Sequence, residues 1–72
     1  MEIYRIDWVD FNGNERVGTA WYHQLKDLVK ELLENEEVVV ITILNSVGKV
    51  VFESNADGIV IDEFNFVNKS EE

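Results

Sequence analysis

The sequence predicts a two-layer α+β domain of order β-β-α-β-β-β, with one helix packed on one face of a mostly antiparallel sheet. Three observations carry that reading. Residues 2–11 and 15–22 alternate apolar and polar side chains on either side of Asn12-Gly13. Leu25, Leu28, Val29, Leu32 and Leu33 recur at helical spacing. A nearly continuous apolar run over residues 38–44 is then followed by two shorter segments, each preceded by a glycine-containing turn.

The first strand places Tyr4, Ile6 and Trp8 on one face and Ile3, Arg5, Asp7 and Val9 on the other, the period-two pattern of extended chain. Asn12-Gly13 is a strong hairpin signal because both residues tolerate positive φ. The return strand sets Val17, Thr19 and Trp21 on one face, and Gly18 within it predicts a bulge or a close approach by another element. The leucine stripe gives one apolar side of an amphipathic helix, with Lys26, Asp27, Lys30, Glu31 and Glu34 on the wet side. No Ser, Thr, Asp or Asn caps its start near His23, and Asn35 is a natural left-handed terminator.

Residues 38–44 are apolar at nearly every position, as in a central strand covered on both faces. Residues 45–48 read as a turn and 49–54 as a fourth strand, with Val50 and Phe52 opposed to Val51. After a turn at 55–58, a fifth strand is expected over 59–67. Ile59 and Ile61 have opposite parity to Phe64 and Phe66 there, so a bulge near Asp62-Glu63 is expected. Residues 68–72 are expected to fray. The hairpin, helix and following strands resemble the β-grasp layout in element order, while a three-stranded C-terminal meander beside the hairpin fits the same pattern.

Seventy-two residues make one domain, 1–72, which buries only about 60% of its unfolded surface. Hydrophobic residues are 46% of the chain, with bulk from Trp8, Trp21, Phe11, Phe52, Phe64 and Phe66, so the chain is a folding one despite its charge. No cysteine is present, which excludes disulfides and thiolate metal sites. No stretch approaches the ~18 apolar residues of a membrane span. The opening MEIYRIDWVD lacks a secretory apolar region, and a cytoplasmic location is the expectation. One helix cannot cover both sides of five strands, so Ile3, Val9, Tyr22 and alternate valines of the third strand are expected on an open face. Homodimerisation by face or edge follows from such a surface.

Fifteen acidic residues against six basic ones give a net charge of −9. That excludes direct phosphate-backbone binding, which gains affinity by releasing counterions to Lys and Arg. Anionic membrane surfaces are excluded by the same repulsion, leaving a protein with a basic surface as the electrostatic partner. The carboxylates fall in three groups: Glu31, Glu34, Glu36 and Glu37 around the helix end; Asp7, Asp10 and Glu15 around the first hairpin; and Asp57, Asp62 and Glu63 in the last. The first group sits where the helix dipole disfavours anions by about 0.3–1 kcal/mol each. Solvated sites tolerate such charges, and acids flanking an aggregation-prone strand act as gatekeepers. The functional alternative is an anionic docking surface. Carboxylates at alternate strand positions lie roughly 6.5–7 Å apart, near the spacing of successive phosphates in a nucleic-acid strand. In size, charge and freedom from proline and cysteine the chain resembles the DNA-mimic inhibitors that phages encode, which implies occupation of a basic nucleic-acid site. A small homodimeric accessory protein, acidic for solubility alone, is the competing reading.

Catalysis is not expected. His23 is a single histidine at a helix start, and Ser46, Ser54, Ser70, Thr19 and Thr42 do not group with it. A carboxylate pair such as Asp7–Asp10 or Asp62–Glu63 is the remote enzymatic or metal-binding alternative. Asp57-Gly58 lacks the rest of a calcium loop, and the glycines are too isolated for a phosphate cradle, so no metal or cofactor is expected.

Overall fold

The computed structural model describes residues 2–66. Five strands and one helix follow the expected order: β1 (Ile3–Asp10), β2 (Glu15–Trp21), α1 (Tyr22–Glu34), β3 (Val38–Leu44), β4 (Val50–Asn55) and β5 (Gly58–Asp62). The strands form one sheet in the order β2-β1-β3-β4-β5, with every neighbouring pair antiparallel. The hairpin therefore lies beside a three-stranded meander, and the β-grasp likeness is one of element order alone. Since β2 and β3 run parallel with β1 between them, their connection must cross the sheet, and α1 makes that crossing.

Register decides which side chains share a face. Tyr4, Ile6 and Trp8 stand opposite Ala20, Gly18 and Arg16 on one side, while Ile6 and Trp8 also oppose Ile43 and Ile41. Leu25 and Val29 of α1 pack on this side, closing a core with Tyr4, Ile6, Ala20, Ile41, Ile43, Val51 and Phe52. Trp8, Leu28, Leu32, Val38, Phe64 and Phe66 surround that core. The chain after β5 turns back over the same side. Phe64 stacks on Phe66 with ring centroids 4.6 Å apart and meets Tyr4 and Tyr22 edge-on at 5.6 and 5.7 Å.

Several expectations are corrected. β3 is central but covered on one side only: Val40, Thr42 and Leu44 belong to the helix-free face and are half-buried. Val50 pairs with Leu44, not with the Phe52 side, because a bulge shifts the register between Ile43 and Leu44. The last strand ends at Asp62, so Phe64 and Phe66 are turn residues; the bulge lies beside Val60, between the Ser54–Ile59 and Glu53–Ile61 pairs. Gly18 marks no bulge, and a Cβ there would meet only the Trp8 ring, at 3.7 Å. Tyr22 joins the aromatic cluster on the helix side, away from the open face. Asn35 ends α1 with extended backbone, φ −84°, and its N–H donates to the Leu32 carbonyl. At the other end of α1, Gln24 supplies the cap that the start lacked, its Oε1 accepting the Trp21 N–H at 2.9 Å. The expectation for the tail at 68–72 falls outside the described residues.

Candidate functional site: an acidic end of the sheet

The five connections between successive elements alternate between the two ends of the antiparallel sheet. Three of these connections share one end: the β1–β2 turn, the α1–β3 loop and the β4–β5 turn. The first two are joined directly, since the Phe11 N–H donates to the Glu37 carbonyl at 2.9 Å and Asp10 pairs with Val38. The third adjoins them through a groove of about 230 Å³ in which Val38 and Val39 face Ser54, Asn55 and Ala56. Asp10, Glu15, Glu34, Glu36, Glu37 and Asp57 are thus gathered at one end. Arg16 stands among them, lining a groove of about 190 Å³ with Asp10, Glu37 and Trp8. Lys30 lies one helical turn back.

The remaining four expected residues are placed elsewhere. Glu31 lies one turn before Glu34, beside Leu28, Leu32, Trp8 and Gly18 in an apolar groove of about 220 Å³. Asp62 and Glu63 close β5 toward the opposite half, where Glu63 pairs with Lys49 at 3.3 Å. Asp7 sits mid-sheet on the helix-free face, in a cross-strand row with Val17, Thr42, Glu53 and Ile61. Its Oδ2 lies 3.5 Å from Arg5 Nε, while Oδ1 is shut off from solvent without a hydrogen-bond donor.

Local sequence explains the acidic end. Asp10 Oδ1 accepts the Asn12 and Asn14 backbone N–H groups at 2.9 Å, and Oδ2 accepts the Asn14 side-chain amide at 3.1 Å. The Asn14 backbone bond and then its amide hold the Asp10 carboxyl below its usual pKa; desolvation opposes them, and Asn12 and Arg16 add lesser lowering contributions. Asn35 Oδ1 likewise accepts the Glu37 N–H, and Asn55 Oδ1 accepts the Asp57 N–H at 2.8 Å. Each connection is pinned by an Asx side chain, so the carboxylates it carries are held on short, ordered chain. The last turn of α1 carries no basic residue to answer the helix dipole, leaving Glu31 and Glu34 facing negative partial charge.

Sequence reading passed over Glu2, Arg5 and Glu53. Glu2 accepts the Tyr4 hydroxyl at 2.9 Å and the Ser46 hydroxyl at 3.0 Å. The Tyr4 phenol is consequently raised above its usual pKa, chiefly by that bond to Glu2 and next by burial. The alternation of β1 gave the signal for Arg5 beside Asp7; Glu53 needed the β3–β4 register. Among the described residues no three acidic or histidine side chains converge as a metal-ligand set. A groove of about 320 Å³ runs along α1 between Lys26, Lys30, Leu33 and Phe66. No helix among the described residues is long and apolar enough to cross a membrane. Comparison of the chain with protein-family models, with curated proteins and with solved structures finds no match.

Proposed function

We propose that this protein is a non-enzymatic binding module whose acidic end docks a basic surface of another protein, one that in its ordinary role holds nucleic acid. The observation that supports this reading is the convergence of three separate connections, bringing Asp10, Glu15, Glu34, Glu36, Glu37 and Asp57 to one end with Arg16 among them. Rigid turns hold these charges, so little ordering entropy is lost when a cationic partner meets them. Long-range attraction from a net charge of −9 would speed encounter. The nucleic-acid-mimic form of the proposal adds that the partner's basic site cannot hold both this protein and nucleic acid.

The test is affinity capture from lysate with the wild-type chain and the triple variant Glu34→Lys, Glu36→Lys, Glu37→Lys, followed by competition with duplex DNA. Three exposed charge contacts at about 0.2–1 kcal/mol each predict roughly 3- to 150-fold weaker binding for the variant. Binding should also weaken steeply as salt rises. A partner held equally by both proteins removes the acidic end from the reading; one that binds DNA and this protein together removes mimicry.

A further inference from the structure

We propose that the helix-free face of the sheet is the interface of a symmetric homodimer, in which two copies pack sheet on sheet with their helices outermost. The register defines the face: Ile3, Arg5, Asp7 and Val9 from β1; Glu15, Val17, Thr19 and Trp21 from β2; Val40, Thr42 and Leu44 from β3; Val50 and Glu53 from β4; and Ile61 from β5. Val17 is 53% exposed, Ile3 44% and Trp21 38%, while Val9, Val40, Leu44, Val50 and Ile61 are half-buried. Isolated apolar residues on a surface call for no explanation. A sheet face made mostly of valine, isoleucine, leucine, threonine and tryptophan around a small charged centre does.

Size supports a stable pairing. Five strands about 4.8 Å apart, each five to eight residues long at about 3.3 Å per residue, project roughly 500 Å². Side-chain relief brings this toward the ~800 Å² of accessible surface that each partner gives to a standard interface. Two such faces stack about 10 Å apart, at the roughly −30° that sheet twist imposes.

The charges select a second copy as the occupant. The acidic end and the wet side of α1 carry Asp10, Glu31, Glu34, Glu36, Glu37 and Asp57 outside this face; Glu15 alone belongs to both. A basic partner would find most of its counter-charges there. The face itself carries both signs: Arg5, Asp7 and Glu53 near its middle and Glu15 at one corner. Arg5 meets Asp7 through Nε, which leaves its terminal nitrogens to reach Glu53 of a second copy across the twofold axis.

Sedimentation equilibrium of the full chain tests this. At about 200 µM, where even a ~10 µM interface is occupied, the expected mass is twice 8.4 kDa; a mass of 8.4 kDa overturns the proposal. Val17→Lys, at an exposed position compatible with folding, should weaken the dimer at least tenfold. Val60→Lys, on the exposed outer strand β5, should leave it intact, with circular dichroism confirming that both variants fold. A dimer lost with Val60→Lys and kept with Val17→Lys would place the contact at the sheet edge and overturn the face. Added salt should tighten this dimer by screening repulsion between two chains of charge −9. Lysines at positions 34, 36 and 37 should not weaken it, so this proposal and the acidic-end reading can fail separately.

Discussion

The two faces of the single sheet are built from the same strands, yet only one is a core. On the helix side, Ile6, Ile41, Ile43 and Phe52 are sealed by Leu25 and Val29 of α1 and by Phe64 and Phe66 after β5. On the other side, Val9, Val17, Val40, Leu44 and Ile61 have no layer above them within the described chain. Strand alternation sorts side chains onto two faces. The number of covering elements decides which face becomes interior.

The largest expected effect contrasts the two faces directly. Phe52→Ala empties a fully buried site and should cost about 3–5 kcal/mol, from a total of roughly 4–11 kcal/mol for a chain this long. Val17→Thr, compared at concentrations where the chain is monomeric, should cost no more than about 0.5 kcal/mol. Urea denaturation measures both, and equal losses would mean that the helix-free side is as tightly packed as the core.

This contrast was half legible in the sequence. Tyr4, Ile6 and Trp8 announced a buried side because their strand neighbours Arg5 and Asp7 are charged. Residues 38–44 misled because a strand that is apolar on both sides reads as doubly covered, whether the second cover is its own chain or another molecule. Position in the sheet, which sequence parity does not encode, was needed to separate the cases. Bulges beside Leu44 and Val60 moved Val50 and Ile59 off their expected parity for a similar reason: register shifts are set by pairing, not by local propensity. The three acidic groups were legible as groups. Their regrouping into one end was not, since it depends on β3 returning beside β1.

A second test concerns the polar row within the apolar face. Asp7 Oδ1 is buried without a donor, and an unsatisfied acceptor of this kind costs on the order of 1–3 kcal/mol. Asp7→Leu removes it and keeps the bulk, so the monomer should be unchanged or gain up to about 1 kcal/mol in a urea melt, after allowing for the lost contact to exposed Arg5. A clear loss would show that the carboxylate stabilises the face on its own.

The helix side ends where the acidic cluster begins, and a smaller gain is expected there. Glu31→Lys relieves the like-charge neighbour Asp27 and answers the helix dipole, worth together about 0.5–1 kcal/mol in thermal denaturation. A stabilised variant that also binds the basic partner less tightly would mark Glu31 as a residue retained against the interest of the fold. Unchanged partner affinity would restrict docking to the acidic end itself, from Glu34 onward.

The smallest expected effect lies in the turn at the acidic end, where two chemically different residues perform one job. Asp10 and Asn45 open five-residue turns with the same hydrogen bonds. Each side-chain oxygen accepts the N–H groups two and four residues on, each backbone N–H donates to the carbonyl four on, and a glycine at the fourth position has φ near +85°. Asn45 shows that the turn needs an oxygen acceptor, not a charge. Asp10→Asn should therefore keep nearly the wild-type melting temperature at neutral pH, whereas Asp10→Ala should lower it. The Asp10 pKa is depressed on folding, so its contribution is complete above the ordinary carboxylate pKa and fades as pH falls through the lower folded value. Thermal melts across that acidic range should show part of the wild-type loss missing from Asp10→Asn. If both proteins lose stability in parallel, the charge on Asp10 is irrelevant to the fold and remains available to a basic partner.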